Sequence, residues 1–239
     1  MQIKNRKKSL IIYCIIFFIF NFNLYADEFD IKAKEILIDK ENEILIGTGS
    51  VEAEDSEGKV IIADKITYEK SKEFLLAEGN VKIKDIDGNI LISEKATYDK
   101  INEIIITYES SEVVLKEGYK LLTKDISYDT KEKIVSSNND SIFTDNDGNY
   151  IETTMFQYQV KNNLFSSIGK IKIIDIKKNE YFFKELYVDT KKKEMIGSEV
   201  SVILDQESFG VSKESDPRLV ANDIFMSENK TNLSKGVFT

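Results

Sequence analysis

One interval governs this chain. Ile38, Tyr68, Tyr98, Tyr128, Tyr158 and Val188 stand thirty residues apart without a slip, and the text around them repeats. From Phe29 it reads FDIKAKEILIDKENEILIGTGSVEAEDSEGK, from Val60 VIIADKITYEKSKEFLLAEGNVKIKDIDGN and from Ile90 ILISEKATYDKINEIIITYESSEVVLKEGYK, with three weaker copies following. A second marker, Gly49, Gly79 and Gly169, keeps the same interval, with Glu109, Asn139 and Glu199 where copies have drifted. Self-similarity at a fixed period of this size means a stack of supersecondary units, none able to bury its apolar face alone. The copies span roughly Phe29 to Leu204, and function must be sought in the stack rather than in any single motif.

Within each copy two sets of turn signals alternate, about fifteen residues apart. One set is Asp39-Lys-Glu-Asn-Glu, Glu69-Lys-Ser-Lys-Glu, Asp99-Lys-Ile-Asn-Glu, Asp129-Thr-Lys-Glu-Lys and Asp189-Thr-Lys-Lys-Lys. The other is Asp55-Ser-Glu-Gly58-Lys, Asp85-Ile-Asp-Gly88-Asn and Asp145-Asn-Asp-Gly148-Asn, whose glycines supply the positive φ that hairpins need. Runs rich in Ile, Val, Leu, Tyr and Thr lie between them and predict long strands. The single proline, Pro217, interrupts none of the copies. An all-β antiparallel meander is therefore expected, with a parallel β-helix of one coil per copy as the competing architecture.

Alternation identifies the dry face. Ile36 and Ile38, Ile66 and Tyr68, Ala96 and Tyr98, Ile126 and Tyr128, Phe156 and Tyr158, and Leu186 and Val188 share one parity. Lys65 and Thr67, Lys95 and Thr97, and Asp125 and Ser127 take the other, so one face is apolar and the other wet. The recurring glycine falls inside a strand, where it marks a bulge or sharp bend. Each strand is expected to fold over there, making a two-walled trough with its apolar faces turned inward. By parity alone that row is ordinary core of any sandwich.

The chain opens with a basic stretch, Lys4 to Lys8, followed by the apolar run LIIYCIIFFIF from Leu10 to Phe20 and then Leu24-Tyr25-Ala26. Residues 1–26 read as a secretory signal peptide, the apolar run being shorter than the roughly 20 residues that span a bilayer. Cutting after Ala26 removes four basic and no acidic residues, which leaves 29 Lys and Arg against 42 Asp and Glu, a net charge of −13. So acidic a surface argues against nucleic acid as a partner. With no histidine, and with Cys14 inside the leader, the remaining chain has no thiol or imidazole for catalysis and no Cys/His metal site. Asp85-Ile-Asp87-Gly88 and Asp145-Asn-Asp147-Gly148 resemble calcium loops but lack the later acidic ligand, so turn chemistry explains them. No cofactor, metal or enzymatic activity is expected.

The pattern Ala63-Asp-Lys-Ile-Thr-Tyr68 followed by Leu76-Ala-Glu-Gly79-Asn-Val81 resembles the OstA-like repeat of the lipopolysaccharide-transport proteins, the periplasmic LptA and the N-terminal periplasmic domain of the outer-membrane protein LptD. Asp216-Pro-Arg-Leu and Lys235-Gly-Val-Phe-Thr239 resemble the passage from that domain towards the LptD barrel. Residues 27–207 are accordingly read as the repeat domain and 208–239 as an irregular extension leading to a barrel that does not follow. The resemblance implies a β-jellyroll shaped as a V, with lipid acyl chains between its walls. It makes the twelve residues of the parity set, Ile36 to Val188, the lipid-binding face. It also implies lipopolysaccharide as ligand, an LptA-like bridge joined by edge-strand pairing, and the barrel with its lipoprotein LptE as partners, at the periplasm and outer membrane. Copy four departs with Ser137, Asn138, Asn139 and Asp140 at places apolar elsewhere, so a poor lipid contact or an opening is expected there. A free-standing LptA-like carrier and a structural β-repeat protein with a closed core remain the alternatives.

Overall fold

The computed structural model describes residues 29–116, 118–205 and 217–238. The leader with Cys14, and residues 208–216 of the C-terminal extension, fall outside them. The described chain is all strand apart from turns and two single 3-10 turns, Lys70–Lys72 and Val160–Asn162. The first strands are β1 (Asp30–Lys32), β2 (Glu35–Asp39), β3 (Ile44–Glu54), β4 (Val60–Glu69), β5 (Phe74–Lys84), β6 (Ile90–Asp99) and β7 (Ile104–Val114). Six short strands follow: β8 (Lys120–Lys124), β9 (Ser127–Asp129), β10 (Ile134–Ser137), β11 (Ser141–Thr144), β12 (Tyr150–Thr153) and β13 (Phe156–Gln159). Long strands then resume with β14 (Leu164–Ile174), β15 (Glu180–Asp189), β16 (Glu194–Ile203) and β17 (Arg218–Ser227), ending in β18 (Lys230–Ser234) and β19 (Val237–Phe238).

Every pairing among these strands is antiparallel, β3 with β4, β4 with β5 and onward through β16 with β17. The parallel β-helix is thereby excluded. The described C-terminal strands join the same sheet. β17 pairs with β16 along both halves and places Ala221 and Ile224 in the core, so the meander continues regularly.

The recurring glycine acts as the alternation suggests. The register slips between Thr48 and Val51, between Glu78 and Val81 and between Ile168 and Ile171, beside Gly49, Gly79 and Gly169 at φ of +81°, +77° and +114°. Glu109 and Glu199 take the same left-handed conformation where the glycine is missing. Folding over at these bulges, the long strands divide into two walls. One holds β2, β9, β10, β13 and β18 with the matching halves of the long strands. The other holds β1, β8, β11, β12 and β19 with the remaining halves. Phe143 of the second wall packs edge-on against Phe156 and Phe165 of the first, at centroid distances of 4.8 and 5.0 Å, which shows the walls facing each other.

Both ends of the stack are stitched at the thirty-residue step. At one end Lys70, Lys100, Thr130, Val160 and Thr190 each donate a backbone N–H to the carbonyl of Glu43, Glu73, Glu103, Lys133 or Asn163 in the preceding turn. Those five acceptors all have positive φ, a device the sequence hides because none is glycine. At the other end Asp85, Asp145 and Asp175 accept from the amides of Asn89, Asn149 and Asn179, whose own oxygens accept N–H groups of Lys116, Ile176 and Asp205 in the next turn. These hydrogen bonds satisfy the turn carboxylates. Among the described residues no group of three or more acids stands ready to hold a metal.

Candidate functional site

The twelve residues singled out by parity lie on one face, in two neighbouring rows. The outer row follows strand pairing without a break through Ile38, Leu45, Tyr68, Leu75, Tyr98, Ile105, Tyr128, Val135, Tyr158, Phe165, Val188, Met195 and Met226. The inner row, next to the bend, carries Ile36, Gly47, Ile66, Ala77, Ala96 and Thr107, then Ile126 on β7's far side. It resumes with Ser137, Phe156, Ser167, Leu186, Gly197 and Ile224. Period-two geometry and a register held across every strand produce this alignment.

Burial along the rows is uneven. Ile66, Tyr68, Ala96, Tyr98, Ile126, Phe156 and Leu186 are buried, and Tyr128, Tyr158 and Val188 are half-buried. Ile36 and Ile38 depart from the expected inward burial, being 46 % and 62 % exposed. They keep the same face as the rest, but β2 is the first strand of its wall, and opposite it β1 has only three residues to cover them. Glycines set how closely the walls approach near the bend. A Cβ on Gly47 would lie 2.9 Å from Val51 Cγ1, and one on Gly197 2.3 Å from Phe183 Cδ1.

The interior holds two apolar clusters. One runs from Phe29 to Ile105 and the other from Leu121 to Ile224. Between them the rows beside the bend turn polar. Ser111 donates to Thr107 at 2.8 Å and to Ser93 at 3.2 Å, and Thr123 meets Ser137 at 3.2 Å and Ser141 at 2.7 Å. Thr153 and Ser167 close a further pair. All eight hydroxyls are buried, and no buried side-chain polar atom lacks a partner among the described residues. An opening is thus not what copy four makes. Ser137 is 3 % exposed and donates to the Lys124 carbonyl at 2.7 Å, so this stretch is a closed hydroxyl seam. Reading outward-facing residues as merely solvated also misses Thr97, buried beneath Tyr108 with the two hydroxyls 3.3 Å apart.

One charged pair lies at the trough mouth. Lys59 Nζ donates to Asp55 Oδ2 at 3.1 Å and to the Tyr98 hydroxyl at 3.3 Å, 4.6 Å above that ring. Burial alone would lower the Lys59 pKa, but Tyr98 and Asp55 outweigh it and hold it above the ordinary lysine value. Tyr181, further along the same wall, donates to Asp175 at 3.1 Å. Burial first, then the Asp175 charge, pushes its phenol up to about 12. Sequence reasoning passed over Phe29 and Lys59. Phe29 stands alone before the first strand, and Lys59 occupies a position that is Asn in the copies at Asn89, Asn149 and Asn179. A depression of about 530 Å³ beside Leu76, Thr97 and Tyr108 opens on the outer face of the first wall, away from these rows.

No protein-family model matches this chain. The comparison with curated proteins likewise returns no match. Among solved structures, the chain is similar to LptH of Pseudomonas aeruginosa, described as the LptA homologous periplasmic component of the conserved lipopolysaccharide transport device. The two share 16 % identity at a TM-score of 0.42, over 46 % of this chain and 82 % of LptH.

Proposed function

We propose that this chain is a periplasmic lipopolysaccharide-transport module that carries acyl chains between its two walls. The observation that supports the reading is the outer row, apolar or aromatic at every strand it crosses from Ile38 to Met226. A methylene leaving water gains about 0.8 kcal/mol. An acyl chain therefore resists crossing an aqueous compartment, yet moves along such a row with little change in hydration at each step. The twelve parity residues then serve as lipid contacts once the walls part, and no covalent chemistry is required. The repeat and the tail motifs favour an LptD-type N-terminal domain that hands lipid to a barrel and LptE, with the free-standing LptA-like carrier as the nearer alternative. Both readings place the chain beyond a cleaved leader, joined to an LptA-like bridge through its outermost strands, where unpaired backbone groups recruit another edge.

A second reading, a structural β-repeat protein whose core never opens, draws on the tight packing of the first cluster, where Ile66, Ala77 and Val81 have no exposed surface. Photo-crosslinking separates the two. A benzophenone side chain at Tyr128 is expected to form lipopolysaccharide adducts, and one at Lys95, on the wet face, to form none. Absent or equal labelling at both sites favours the closed-core protein.

A further inference from the structure

The thirty-residue row is chemically uniform but not uniformly covered. Tyr68 and Tyr98 are 6 % and 5 % exposed, whereas Tyr128, Tyr158 and Val188 are half-buried. Phe29 makes the difference. Its ring, itself 8 % exposed, meets Tyr68 edge-on at 5.3 Å and Tyr98 at 5.9 Å, closing the mouth between the wall tips over the first cluster and no further. Lys59 completes the closure. At its place in later turns Asn89, Asn149 and Asn179 bond within their own turn, but Lys59 reaches across to the Tyr98 hydroxyl of the opposite wall while Asp55 neutralises it. Lys59 departs from the asparagine that three of the four later copies carry at its place, Tyr119 being the other departure. Neither Phe29 nor Lys59 is needed to build the stack, since later copies are built without them.

We propose that Phe29, held by the Lys59–Tyr98 strap, is a built-in plug that shuts the N-terminal half of the interior. An acyl chain then lodges first in the C-terminal half, beside Tyr158 and Val188, and reaches the N-terminal half only when Phe29 is displaced. The proposal rests on the acyl-carrying reading above. Exchanging the Phe29 ring for an acyl chain replaces one apolar group by another against Tyr68 and Tyr98, so the plug can leave without exposing the core to water.

The chain has no tryptophan, which allows local reporters. Tyr158→Trp and Tyr68→Trp are introduced separately in the mature chain and titrated with dodecyl maltoside brominated in its alkyl chain, below its micelle concentration. Bromine quenches only an indole it touches. Quenching is expected to be at least fivefold stronger for the Tyr158→Trp reporter than for Tyr68→Trp. Adding Phe29→Ala should bring the Tyr68→Trp reporter to within twofold of the other. Lys59→Asn, which installs the side chain carried at Asn89, Asn149 and Asn179, tests the strap in a background that keeps the turn. Equal quenching at both reporters in the otherwise unaltered chain, or a ratio unmoved by both Phe29→Ala and Lys59→Asn, overturns the plug while leaving acyl binding intact. Quenching at neither reporter overturns the acyl-carrying reading and the plug with it.

Discussion

Asp55 and Lys59 are buried together at 5 % and 7 % exposure, and such a pair stabilises a fold only while both members are present. Removing Asp55 strands an ammonium between the walls, at a cost of about 3–5 kcal/mol. Removing Lys59 need not strand the carboxylate, because an asparagine there can bond Asp55 as Asn89 bonds Asp85 at 2.7 Å. Asp55→Ala is therefore expected to lower stability in urea titrations by several times more than Lys59→Asn, whose loss should stay within about 1 kcal/mol, the net worth of one hydrogen bond. Equal losses would mean that the charge pair, rather than the turn, holds this corner. The Asp-to-Asn spacing was readable as turn chemistry in the sequence. That a lysine replacing the asparagine would cross the mouth was not, since only the facing wall supplies Tyr98.

Among the elements, the bulged strands decide the shape of each copy. Gly79 sits at φ +77°, and a Cβ there would lie 2.6 Å from Asp64 Oδ2 and 3.0 Å from Asp64 Cβ. Glu109 holds the corresponding place in the next copy at φ +63°, a conformation costing a non-glycine residue roughly 1–2 kcal/mol. Opposite outcomes follow from one geometry. Gly79→Ala should destabilise by about 1–2 kcal/mol, and Glu109→Gly should stabilise by up to about 1 kcal/mol, strain relief exceeding the added chain entropy. Thermal unfolding of the two variants checks this, and a fall in Tm for both would show that Glu109 is not strained. The bend is thus legible in the amino-acid sequence, through its recurring glycines. The left-handed residues Glu43, Glu73, Glu103, Lys133 and Asn163 at the opposite turns carry no such signal, because backbone stitching between neighbouring turns, rather than residue type, imposes their conformation.

At the level of the whole molecule, the stack is a line of near-equal units whose stability adds from neighbour to neighbour, so its weakest place is local. That place is the hydroxyl seam, where strands of ten or eleven residues give way to β8–β13 of three to five and the apolar interior divides in two. Amides of β8–β13 are expected to exchange with solvent before those of β5, β6, β15 and β16, through an opening short of global unfolding. Uniform protection along the chain would show the two clusters to be one cooperative core. The thirty-residue period, the alternation and the glycines determined that this chain forms a bent stack of strands with one dry face, since local turn geometry and period-two side-chain placement are properties of the sequence itself, while the strand pairing decided for the antiparallel meander over the parallel β-helix. How far the walls close was left to the tertiary structure. Phe29, Lys59 and the hydroxyls from Ser93 to Ser167 act on partners across walls or on neighbouring strands, and such contacts exist only once the bends have brought them together.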